Sequence, residues 1–229
     1  MNMKKVLIVI VLTVLVIFGI YFIQHRWNSG NIEVGMTEKI DEVTEEPKED
    51  ITINMTVTGD VLCHNTNFFD AYNAFTDSYD FSYTFEDIKK YFDNADIVVG
   101  TLESNFAGKA AGYSNYPLFN APEQLATDLK ELGFDVMATA NNHCLDKGFS
   151  GMVNTLAELD KAGIEHYGTY ATEEDSEKYL IKDVNGIKIA FLDYNYGTNG
   201  ISLPEGKEWA ISMIDRDKIK TDIDRKSVV

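Results

Sequence analysis

Two cysteines in 229 residues are too few for a disulfide scaffold, so the fold must rest on a hydrophobic core. Basic residues are scarce as well: 20 Lys and Arg stand against 37 Asp and Glu, a formal net charge of −17. Nucleic acids are bound through basic patches that neutralise phosphate, so no nucleic-acid partner is expected. The same deficit argues against electrostatic adhesion to anionic lipid, and the negative charge reads first as a device for solubility. The chain has no Gly-x-x-x-x-Gly-Lys-Ser/Thr loop, no Gly-x-Ser-x-Gly elbow and no Gly-x-Gly-x-x-Gly fingerprint. That leaves little room for nucleotide-binding or serine-hydrolase chemistry. Nor is there an internal repeat. Apolar residues are abundant: 45% are hydrophobic and 12% aromatic, enough for one or two domains with a real core.

Residues 6–23 form an 18-residue uncharged apolar run. As a helix it rises about 27 Å, close to the hydrocarbon thickness of a bilayer. Lys4 and Lys5 precede it; His25, Arg26 and Trp27 follow. A cleaved signal peptide has a shorter apolar region and a small-residue cleavage site, and none follows Ile23. Residues 1–27 therefore read as an uncleaved single-pass membrane anchor, with a short tail inside and the remainder of the chain extracytoplasmic. Residues 28–51 hold Glu38, Asp41, Glu42, Glu45, Glu46, Glu49 and Asp50 with few apolar residues. This is the composition of a solvated, self-repelling linker. The globular domain is expected at 52–229.

Within that domain, apolar periodicity alternates between the two regular types. Strands are predicted at 51–58, 96–100, 134–138 and 164–167. Helices are predicted at 85–92, at 122–132, stopped by Gly133, and at 151–162, stopped by Gly163. Residues 181–194 read as a hairpin turning at Asn185-Gly186. The order implies an α/β fold with a mixed or parallel sheet and helices on its faces. Sites on such sheets gather at the carboxyl ends of the strands.

Three predicted strand ends carry chemistry. The first is Gly59-Asp60-Val61-Leu62-Cys63-His64, the second Gly100-Thr101-Leu102-Glu103, and the third Asn141-Asn142-His143-Cys144-Leu145-Asp146. An Asp, a Glu, an Asn and a His form a hard-to-borderline donor set, suited to Mn, Fe, Zn or Mg. A carboxylate can bridge two such ions, and paired metals activate water and hold phosphoryl oxygens. A further imidazole beside them can protonate a leaving oxygen. Each residue also has a plainer reading. Asp60 can be a turn residue, His64 structural, Glu103 a cap, Asn141 and Asn142 left-handed turn formers, and Asp146 a helix N-cap. Three such ends at one sheet edge favour a common site over separate coincidences. Cys63 and Cys144 flank two of the ends. They could form a disulfide, place a thiolate near metal, or simply be small buried residues.

The pieces Gly59-Asp60 with His64, Tyr79-Asp80-Phe81, Leu102-Glu103, residues 116–123 (Tyr-Pro-Leu-Phe-Asn-Ala-Pro-Glu), Ala140-Asn141-Asn142-His143 and Asp146-Lys147-Gly148 occur in that order. Together they resemble the CapA-like capsule and poly-γ-glutamate biosynthesis proteins, a branch of the calcineurin-like metallophosphoesterase superfamily, over roughly residues 53–224. The resemblance implies a two-sheet α/β sandwich, a mixed sheet with flanking helices, and a site for two divalent ions. Carried over by motif, Asp60 would be a ligand of the first metal, Glu103 would take the bridging position usually held by Asp, and Asn142 would bind the second. His143 would be the transition-state imidazole and Asp146 its orienting group. His64 would be a ligand displaced from the usual spacing.

Family members run on well beyond this length and carry further histidine ligands, whereas no histidine follows His166 here. The expectation is an incomplete sandwich, inactive by itself. The implied function is a membrane-anchored capsule or poly-γ-glutamate protein that, if catalytic, is a metal-dependent hydrolase of a phosphoester or related bond. Its partners would be the capsule polymer or a synthase complex. The competing readings are a non-catalytic surface scaffold of that complex and a hydrolase of γ-glutamyl bonds.

Overall fold

The computed structural model describes Ile20 and residues 50–226. The expected membrane segment and most of the acidic linker lie outside these residues. No helix among the described residues is long and apolar enough to cross a membrane. The chain from Glu49 onward forms one compact unit.

Strand β1 (Met55–Val61) leads to helix α1 (Asn65–Asp70), then to a small antiparallel ribbon of β2 (Tyr72–Asn73) and β3 (Ser78–Tyr79). A 3₁₀ turn (Ser82–Phe85) runs into α2 (Glu86–Lys89), followed by β4 (Ile97–Leu102), α3 (Gln124–Leu132), β5 (Val136–Ala138), α4 (Gly148–Ala162) and β6 (Glu165–Tyr167). Helix α5 (Glu173–Ser176), strands β7 (Leu180–Val184) and β8 (Ile187–Phe191), and helix α6 (Arg216–Lys226) complete the unit. Strands β1, β4, β5 and β6 pair side by side in that order, all parallel. Their carboxyl ends therefore emerge at one edge.

The alternation of side chains along β4 builds two cores. Val98 and Leu102 pack with Leu129, Phe134, Met137, Leu159 and Ile164 beneath α3 and α4. Ile97 and Val99 face the other way and join Val136, Val184 and Phe191, with Leu180 and Ile189 packed against them. Burial on both faces explains why β4 is a continuous apolar run rather than an alternating one. The second layer here is the expected β7–β8 hairpin, while α3 and α4 flank the other face of the sheet. Its apolar residues pair across the hairpin as Leu180 with Phe191 and Val184 with Ile187. The turn has Asn185 at φ 53° and Gly186 at φ 86°, the double left-handed geometry that Asn-Gly favours.

Other boundaries also move. Strand β1 starts later than predicted and runs on to Val61, so Asp60 lies inside the strand, next to a register shift between Val57 and Asp60. The predicted helix at 85–92 is only a 3₁₀ turn and the single turn of α2. Phe92 is buried there, while Ile88 and Tyr91 of the supposed apolar face are exposed. Helix α4 begins three residues earlier, at Gly148. Lys147 occupies its N-cap position, so Asp146 is free for another task.

Gly100 has a steric reason. A Cβ there would lie 2.6 Å from Phe134 Cε1 and 3.0 Å from both Met137 Sδ and Thr58 Oγ1. Gly100→Ala should destabilise the domain by about 1–3 kcal/mol through overpacking. Chemical denaturation would read this, and an unchanged midpoint would show that the Phe134 ring yields freely.

Candidate functional site

Because β4 and β5 are parallel neighbours, Glu103 and the segment Asn141-Asn142-His143 leave the sheet at the same edge. The Glu103 N–H donates to Val61 O at 3.0 Å, extending the ladder one residue past β4 and holding Glu103 beside the end of β1. Asn141 ties the strand ends together. Its Nδ2 donates to Leu102 O at 2.7 Å, and its Oδ1 accepts the His143 N–H at 3.0 Å. Neither Asn141 nor Asn142 is left-handed; Asn141 is a cross-strand brace, not a turn former.

His143 is buried, and its position is closely determined. Nδ1 is 2.7 Å from Asp146 Oδ2. A carboxylate can only accept there, so Nδ1 carries a proton. Nε2 lies 3.9 Å from Glu103 Oε1. The Phe119 ring meets the imidazole edge-on at 4.8 Å, and the Phe119 N–H donates to the same Asp146 oxygen at 2.7 Å. The Asp146 side chain is fully buried, and its other oxygen, Oδ1, has no partner. A buried carboxylate so sparingly satisfied leans on its bond to the imidazole. Asn105, also buried, donates from Nδ2 to His143 O at 2.7 Å.

Asp60 is exposed at the end of β1. Its charge nevertheless reaches Glu103: burial first, then the Asp60 carboxylate, raise the Glu103 pKa above the ordinary value, and Asp146 adds to this while His143 opposes it. His64 stands apart. It precedes α1, its N–H donates to Asn67 Oδ1 at 3.0 Å, and its Nε2 faces Asn115 Nδ2 at 3.4 Å. Phe119 meets both imidazoles, lying 6.2 Å from the His64 ring. Asn142 is half-buried, with Nδ2 donating to Asn199 Oδ1 at 3.4 Å. Cys63 and Cys144 are free and buried. Loss of hydration pushes both thiols up to about 12, so they are neutral residues rather than a disulfide or thiolates.

Asp60, Glu103 and the Asn142 amide are hard oxygen donors, and a cation would relieve the mutual repulsion of the two carboxylates. In chemistry they fit a hard divalent ion. In geometry they are a partial set: among the described residues, no three His, Cys, Asp or Glu side chains converge as a metal cluster.

Asn105, Phe119, Asp193 and Asn195 support this site without having been picked out as site residues by the sequence reading. Asp193 did carry a signal. It follows an apolar strand just as Glu103 does, but the predicted hairpin ran to residue 194 and absorbed it. Asp193 Oδ2 accepts the Ala140 N–H at 2.7 Å. Burial raises its pKa to about 6, partly offset by backbone N–H donors.

A four-stranded parallel sheet with a buried His–Asp pair and carboxylates at one carboxyl edge defines an α/β protein with a strand-end polar site. Residues 54–229 match the family model of the bacterial capsule synthesis protein PGA_cap, and the chain belongs to that family, the CapA-like proteins. It is 26% identical over 167 residues to the capsule biosynthesis protein CapA of Bacillus anthracis, covering 70% of this chain and 38% of that protein. It is 30% identical over 156 residues to the PGA biosynthesis protein CapA of Bacillus subtilis (strain 168), covering 61% and 40%. An uncharacterized Sinorhizobium fredii protein, y4sH, is 37% identical over 115 residues, covering 47% and 25%. The matched region thus spans about two fifths of the length of the two CapA proteins.

Asp193 sets a pH dependence. Its folded pKa of about 6 lies above the ordinary 3.8. The unfolded chain therefore releases this proton first as pH rises, and Asp193 lowers stability progressively between about pH 4 and 6. Asp193→Asn keeps an acceptor for Ala140 but cannot ionise. Its stability relative to the parent should improve from pH 4 to pH 7 by up to roughly 3 kcal/mol, measured by urea unfolding at both values. A pH-independent difference would place the Asp193 pKa in the normal range.

Proposed function

We propose that this chain serves capsule or poly-γ-glutamate assembly as a membrane-anchored, extracytoplasmic, metal-dependent hydrolase acting on a phosphoester or related bond. The observation that carries the reading is the buried His143, oriented by Asp146 through Nδ1, with Nε2 directed to the sheet edge where Glu103 emerges. The family membership supports the biological context, and the uncharged run at 6–23 supports the anchor.

Asp60, Glu103 and Asn142 would hold the divalent ion, of the Mn, Fe, Zn or Mg type. When bound, it would supply Lewis acidity and an activated water. Asp146 keeps the His143 proton on Nδ1 in the resting state and stabilises the imidazolium when Nε2 gains a second proton. From Nε2 that proton can pass to a leaving oxygen, so His143 is the general acid. Phe119 walls one side of the ring and limits its access to water. His64, just before α1, would be a further ligand displaced from the usual spacing.

The second reading is a non-catalytic surface accessory that guides the polymer or scaffolds a synthase complex. The lack of a converged ligand cluster among the described residues favours it. Elemental analysis of the purified full chain, with turnover of a chromogenic phosphate ester, separates the two. The hydrolase reading expects bound divalent metal that Asp60→Ala and Asn142→Ala each remove. His143→Ala should keep the metal and lose about 10²–10⁴-fold in turnover. Folded, metal-free, inactive protein would leave the accessory role standing.

A further inference from the structure

One short segment after β8 holds the site loop from its far side. Asp193 Oδ2 accepts the Ala140 N–H at 2.7 Å. Asn195 Nδ2 donates to Asn141 O at 2.8 Å and lies 4.0 Å from Cys144 Sγ. Asn199 Oδ1 accepts from Asn142 Nδ2 at 3.4 Å, and Asn199 Nδ2 lies 3.4 Å from His143 Nδ1. Each residue of 140–143 thus meets a polar side chain from 193–199.

The segment is itself well fixed. Asn195 is 2% exposed. Its N–H donates to Ser212 O at 2.7 Å, and its carbonyl accepts the Ile214 N–H at 2.9 Å. Its Oδ1 accepts the Gly197 N–H at 3.2 Å, so both ends of the amide are used. Gly168, just past β6, leaves the room Asp193 needs: a Cβ there would lie 2.4 Å from Asp193 Oδ2 and 2.8 Å from the Ala140 Cβ. Asn199 has φ 52°, a left-handed backbone that Asn adopts more readily than most residues.

We propose that Asp193 and Asn195 are positioning residues: they fix the backbone of Ala140 and Asn141 so that His143 Nε2 is held toward Glu103, with Asn199 Oδ1 steadying the Asn142 side chain. The physical need is clear. Residues 141–147 are turns without regular structure, and Asp146 and Asn105 hold His143 from its own side of the loop. A catalytic imidazole must keep its geometry to within a fraction of an ångström, and the opposing segment supplies the second set of restraints. The catalytic meaning of this role rests on the hydrolase reading, but the restraint itself does not.

The test uses the full 229-residue chain labelled at its four histidines. NMR would follow the His143 ring resonances at fixed pH and hydrogen exchange at the Ala140 amide. The variants are Asp193→Ala, Asp193→Asn and Asn195→Ala. Leu129→Ala, in the core under α3, serves as an equally destabilised control. Asp193→Ala should speed exchange at Ala140 about tenfold, the scale of one hydrogen bond, and both alanine variants should move the His143 ring resonances. Asp193→Asn, which keeps the acceptor, should restore slow exchange, and Leu129→Ala should change neither readout. Wild-type behaviour in the alanine variants, or the same change in Leu129→Ala, would overturn the proposal. Asn199→Gly, which removes a side chain but keeps the left-handed backbone, replaces Asn195→Ala if that variant does not fold; it should move the Asn142 side-chain amide resonances, and no shift would count against the proposal. A parallel Mn²⁺ titration separates the two claims. Wild-type protein without Mn²⁺ affinity would tell against the hydrolase reading alone, and the exchange result would still decide the positioning role.

Discussion

Parallel pairing carries β4 and β5 out of the sheet at one edge, with Val99 opposite Val136 and Thr101 opposite Ala138. Everything at the candidate site depends on that register. Both strands are buried on two faces, so a slip of one residue would send Val98 and Leu102 to the hairpin side and Ile97 and Val99 under the helices. The two cores differ in shape. One accepts Phe134 and Met137 over a glycine; the other accepts Val184 and Phe191 from the β7–β8 hairpin. Packing therefore specifies the register, and the register brings Glu103 and His143 together.

Electrostatics then shapes the edge. The protein is strongly acidic, and this edge concentrates the same sign: Asp60 and Asp146 both act on the half-buried Glu103. Asp146 is compensated by an imidazole and one backbone N–H, while Glu103 has the distant Nε2 of His143 and a raised pKa. Such an arrangement lowers stability, a cost that proteins tolerate mainly at functional sites.

Much of the organisation was legible because it follows from local pattern. The apolar run at 97–102, the glycine stops after α3 and α4, and the Asn185-Gly186 turn each state a backbone preference within a few residues. The misjudged parts are those where tertiary packing overrides the pattern. Residues 85–92 have helical spacing, yet only Phe85 and Phe92 find core partners, and the backbone settles into a 3₁₀ turn and one helical turn. Asp60 looked like a loop residue because Gly59 precedes it, but pairing with β4 extends the strand past both.

The same division holds at the site. Sequence alone identified Glu103, His143 and Asp146 as chemistry-bearing residues, because polar groups placed directly after buried strands have few structural uses. It also determined the family and the strand-end location. Only the tertiary structure decided that Asp146 binds the imidazole rather than capping α4, that Phe119 stands between His64 and His143, and that Asn141 braces the strands while Asn142 remains available. It alone revealed Asp193 and Asn195, whose partners lie more than fifty residues away. The physical reason is range. Propensity and periodicity are local, whereas a hydrogen bond between a strand end and a distant loop exists only after the chain has closed on itself.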